Sequence, residues 1–156
     1  MSKATKRTDL IDSNNSETIV TITDATYSVT KAQSGTTFLL NRAAGIVVTM
    51  PDGGAGDIIG NTYTFKILTT ASSNSYTING ATTDNILQGA AFITSTTAGA
   101  ADVFNPGATD HQIVIDAATK GWLEGGVITL TCIAADQWFV HAVLGGVGGT
   151  VATPFT

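Results

Sequence analysis

The sequence predicts an all-β protein, an antiparallel β-sandwich or barrel-like single domain of jelly-roll type, on three observations. Short runs rich in β-branched and aromatic residues recur from Glu17 onward. Gly, Asn, Asp, Ser or Pro separates them, and no segment sustains a 3.6-residue apolar period between helix caps. The 156 residues suit one compact domain. A chain of that size buries roughly two-thirds of its unfolded surface and needs no disulfide or metal to hold a core.

In chain order, residues 1–16 are polar and aperiodic and read as a flexible or extended N-terminal arm carrying Lys3, Lys6 and Arg7. The β domain spans 17–146, with strands expected at 18–23, 26–30, 36–40, 46–50, 63–68, 75–78, 91–94, 112–115, 126–133 and 137–144. Pro51 and the glycines after it stop the fourth run, and Asn79-Gly80 is a tight-turn signal. Residues 95–110, rich in Ser, Thr, Ala and Gly, read as a long loop, a class that usually serves function or contact. Residues 147–156 read as an extended tail that leaves the domain or lies along a neighbour.

The last two strands reveal their faces. Ile128, Leu130 and Cys132 alternate with threonines, and Trp138, Val140, Ala142 and Leu144 share one side, with Ala134-Ala135-Asp136 as a hairpin loop between. Cys132 is therefore a small core residue. The opposite side presents Phe139, His141 and Val143, which either meet a partner or pack against a second sheet of the same domain.

Charge narrows the function. Only 12% of residues are charged while 43% are hydrophobic. Beyond Arg7 the chain holds four basic against 12 acidic residues, a balance of −8. Sequence-independent nucleic-acid binding needs clustered Lys and Arg, so no nucleic-acid partner is expected. No window approaches the ~18 apolar residues of a membrane-spanning helix, so no membrane partner is expected. The basic arm tip either touches an acidic partner or is solvated.

Chemistry is sparse. His111 and His141 lack the spacing of a zinc site, no GxSxG elbow occurs, and Gly145–Gly149 is not followed by the helix that a dinucleotide fingerprint requires. No catalytic residue, cofactor or metal is expected, and the protein reads as a non-enzyme. Trp122 is the one candidate for an exposed sugar platform; Trp138 belongs to the core set.

The motif order resembles small β-rich virion proteins of tailed bacteriophages, especially those of marine and cyanobacterial phages. The residues that carry it are Thr26-Tyr27-Ser28-Val29-Thr30, Gly35-Thr36-Thr37-Phe38-Leu39-Leu40-Asn41, Gly45-Ile46-Val47-Val48-Thr49-Met50-Pro51, Gly60-Asn61-Thr62-Tyr63-Thr64-Phe65 and the hairpin from Trp122 through Trp138-Phe139-Val140. The resemblance implies a capsid decoration (cement) protein bound to the major capsid protein lattice, made in the host cytoplasm and residing on the virion. It also implies a homo-oligomer, with a trimer favoured. In this reading Lys3, Lys6, Arg7, Phe139, His141 and Val143 bind the partner. The alternative is a tail-fibre or receptor-binding module that takes glycans.

Overall fold

The computed structural model describes residues 18–54, 56–97, 99–116, 119–147 and 150–156. Among them lie eleven strands: β1 (Ile19–Ile22), β2 (Thr26–Ser28), β3 (Thr37–Leu40), β4 (Ile46–Thr49), β5 (Thr62–Ile67), β6 (Tyr76–Asn79), β7 (Ile86–Ser95), β8 (Ala101–Phe104), β9 (Gln112–Ile115), β10 (Val127–Ala134) and β11 (Gln137–Gly146). They form a seven-stranded sheet in the order β1-β3-β5-β10-β11-β7-β8 and a four-stranded sheet in the order β2-β4-β6-β9. The all-β class and the two-sheet sandwich of the sequence reading hold. All ten expected strands are present, β7 starting at Ile86 instead of residue 91.

The pairing differs from the antiparallel, jelly-roll expectation. The first six strands alternate between the sheets, and each pairs in parallel with the strand two before it: β1 with β3 with β5, and β2 with β4 with β6. This is a three-coil stack. Its third coil is closed by antiparallel β10 on one sheet and antiparallel β9 on the other. β11 then pairs antiparallel with β10 but parallel with β7. Parallel pairing needs long crossovers, and here the partner sheet serves as the crossover in place of a helix.

Stacked coils bring like residues into register, and this builds the core. Val20, Phe38, Phe65 and Ile128 are successive partners across β1, β3, β5 and β10. The Phe38 and Phe65 rings stack with centroids 5.1 Å apart. Tyr27, Val48, Ile78 and Ile113 make the matching row on the small sheet. The expected inward sets, Ile128, Leu130 and Cys132 with Trp138, Val140, Ala142 and Leu144, are all buried between the sheets. The hairpin forms where expected, with Asp136 at φ +57, a left-handed conformation that Asp tolerates in a tight turn.

A buried polar hub ties three turns together. Asn85 is fully enclosed; its Oδ1 accepts from Gly53 N–H at 3.2 Å and from the Trp138 indole N–H at 3.1 Å. Its Nδ2 donates to Thr82 Oγ1 at 2.7 Å and reaches Asp136 Oδ1 at 3.4 Å. The turn after Pro51, the β6–β7 turn and the β10–β11 hairpin therefore share one side chain.

Two expectations about connections are corrected. The long loop 95–110 contains a strand, β8, held antiparallel to β7. The C-terminal residues do not leave the domain: Phe155 is buried and bridges Ile113, and Val114 N–H donates to the Pro154 carbonyl at 2.7 Å. Phe155 and Pro154 are apolar enough to anchor a short segment against β9, which composition dominated by Gly and Thr conceals. The 1–16 arm, with Lys3, Lys6 and Arg7, lies outside the described residues. No helix among the described residues is long and apolar enough to cross a membrane.

Candidate interaction surface

The inner face of the seven-stranded sheet covers the core, so alternation turns the other set of side chains outward. On β10 and β11 these are Val127, Thr129, Thr131 and Ile133, and Gln137, Phe139, His141 and Val143. Phe139 is 46% exposed and Val143 48%. The structure thus brings Phe139, His141 and Val143 together on one solvent-facing surface, and internal packing between two sheets does not account for them.

Neighbouring strands extend this surface. Lys66, Val127, Val143, Phe92 and Val103 are register partners across β5, β10, β11, β7 and β8. Phe92 is 41% and Val103 52% exposed. The next row is Thr64, Thr129, His141 and Ala90, and the one after it Thr62, Thr131, Phe139 and Gln88. Thr62 and Thr131 share a hydrogen bond between hydroxyls at 2.9 Å. None of the outward positions on these five strands is Asp or Glu; the ionisable ones are Lys66 and His141.

Sequence reasoning missed Phe92 and Val103. Phe92 had a readable signal, since alternation sets it on the face opposite the inward Ala91 and Ile93. Val103 had none, because its strand was read as loop. The seven strands, at ~4.8 Å spacing, give a face about 29 Å wide.

Other sequence candidates fall outside this surface. Trp122 is half-buried against the core and bridges Gly145, so it offers no open platform. Cys132 is enclosed; burial pushes its thiol up, and Sγ lies 3.3 Å from the Ala134 carbonyl. His141 stands on the large sheet, while His111 directly precedes β9 of the small one. The Gly54 backbone N–H, donating to Asp52 Oδ1 at 3.0 Å, holds that carboxyl below its ordinary value, with Asn85 assisting. Among the described residues no three His, Cys, Asp or Glu side chains gather where they could hold a metal ion.

Fold and surface together define a two-sheet β-domain with a broad, carboxylate-free, apolar and threonine-rich sheet face. Compared with protein-family models, curated proteins and solved structures, the chain matches none.

Proposed function

We propose that this protein is a non-enzymatic structural component of a bacteriophage particle, a decoration (cement) protein that seats the outer face of its seven-stranded sheet on the assembled major capsid protein lattice. The observation that carries the reading is the row Val127, Val143, Phe92 and Val103 with Phe139 beside it, on a face free of carboxylates in a chain whose body is acidic. Exposed apolar patches of this breadth mark contact surfaces. Threonine side chains lose less rotamer freedom on burial than Lys or Glu, so such a face covers a flat partner at low entropic cost. A protein that binds only the assembled lattice stabilises it by mass action, without chemistry. The resemblance to phage virion proteins supports the choice of partner.

The test is co-sedimentation with capsids that lack the protein. Val143→Asp and Phe92→Asp place a carboxylate in the contact and are expected to lower occupancy at least tenfold, with the circular dichroism spectrum unchanged. Occupancy equal to wild type for both variants would refute the reading.

A glycan-binding tail module is the second reading. Phe139 lies beside Gln88, whose amide donates to Gln137 Oε1 at 3.0 Å, and an aromatic ring next to paired amides suits a sugar. Glycan binding that disappears with Phe139→Ala, on protein that ignores capsids, would favour it.

A further inference from the structure

The four sheet edges are not protected alike. At β8, Asp102 is the register partner of the core residue Ile93, so this edge strand aims a carboxylate toward the inner side, and Pro106 follows. An inward charge on an edge strand discourages pairing with another chain. The edge of β9 is already occupied, since residues 154–156 run along it and Thr156 N–H donates to the Gln112 carbonyl at 3.1 Å.

The other two edges, β1 and β2, lie at the same end of the coil stack, and among the described residues neither device protects them. Ile19–Ile22 and Thr26–Ser28 contain no charged residue and no proline. β1 accepts bonds from the next coil at the carbonyls of Thr18 and Ile22, and β2 uses the Ala25 carbonyl and the Val29 N–H. Backbone groups alternate sides along a strand, so the amides of Ile19, Thr21, Thr26 and Ser28 face the free edge. The inward side chains at this end, Val20 and Tyr27, are only partly buried although they pack on the core.

We infer that this end of the stack pairs with the same end of a second copy of the chain. β1 and β2 belong to opposed sheets, so one two-fold axis normal to both sets β1 antiparallel to its counterpart and β2 to its own in a single contact. An isologous interface of this kind uses the same patch twice. Both sheets become continuous across the junction, the free amides gain partners, and Val20 and Tyr27 are covered. The paired strands bring no Asp, Glu, Lys, Arg or His into the junction; Asp24 lies in the turn between them. A two-fold contact makes dimers, not the trimers that the resemblance implies, and it is independent of what the broad face binds.

Light scattering of the full-length protein over a concentration series tests this, with twice the chain mass as the expected result. Thr21→Pro removes an N–H that faces the free edge and none that bonds β3. Thr21→Lys sets like charges near the two-fold axis. Each is expected to raise the dimer dissociation constant at least tenfold while circular dichroism stays unchanged, and Val143→Asp on the broad face is expected to leave the dimer intact. A wild-type monomer, a trimer, a dimer that survives both Thr21 variants, or one dissolved by Val143→Asp would overturn the inference.

Discussion

Asn85 offers the sharpest test of how the fold is held. In Asn85→Leu the volume and burial persist, but the Gly53 N–H and the Trp138 indole N–H lose their shared acceptor. An orphaned buried donor costs about 1–3 kcal/mol, so the two together cost about 4 kcal/mol. For a domain of this size that lowers the melting temperature by roughly 12 °C. Urea unfolding followed by tryptophan fluorescence measures the free energy directly. The reasoning also makes a coupling claim. On a Trp138→Phe background one of the two donors is already gone, so Asn85→Leu is expected to cost about 2 kcal/mol less. Asn85→Asp keeps an acceptor for both donors but loses the bond to Thr82 and sets a carboxylate near Asp136, so its penalty is expected to shrink as pH falls. A loss below about 1 kcal/mol for Asn85→Leu, or the same loss with and without the indole, would refute the hub.

Two further outcomes follow from the core. Gly89 lies in β7 at φ +108, where a Cβ would collide with the Val140 carbonyl of β11, so Gly89→Ala is expected to cost about 3 kcal/mol in urea unfolding, against near-neutrality for Ala90→Gly on the open face. Burial pushes the phenols of Tyr63 and Tyr76 and the Cys132 thiol above their ordinary values. The unfolded chain releases these protons first, so stability is expected to hold below about pH 8.5 and to fall as pH rises through the thiol and then the phenol range. Urea midpoints from pH 7 to 11 check the sign, and a rising midpoint would contradict it.

The legible part of the structure is the part that depends on local pattern. Period-two alternation in β10 and β11 assigns seven inward residues, and it places Phe139, His141 and Val143 outward together, because strand geometry leaves no other arrangement. Pairing partners are a different matter. Whether Val20 meets Phe38 in parallel depends on the chain crossing to the second sheet at Thr26–Ser28 and returning, and no local residue encodes that return. β8 is hidden for a compositional reason: Ala101–Phe104 contains a carboxylate and sits among Ser, Thr and Ala, and only its pairing with β7 makes it a strand. The broad surface is half-legible for the same reason. Its β11 residues follow from alternation, whereas Phe92 and Val103 join them only through register.

The scarcity of charge has a location. Thr64 and Thr129 are register partners on the outer face of β5 and β10, and Thr62 and Thr131 form the adjoining pair. Threonine is β-branched and strengthens a strand, and its hydroxyl stays hydrated without a charge. Lys or Glu at these positions would hydrate the sheet better in a free monomer. The same charges would be costly under a partner, because each must be desolvated and matched there. Threonine satisfies both states at modest cost in each, which is what the proposed seating of this face on a capsid lattice would require. Among the described residues the carboxylates lie off this face, many in turns such as those of Asp24, Asp52, Asp57, Asp84, Asp110 and Asp136. Under the proposed function a charge-poor sheet and an acidic set of turns divide the work: the turns carry the hydrated charge, and the sheet carries none that a partner would have to desolvate.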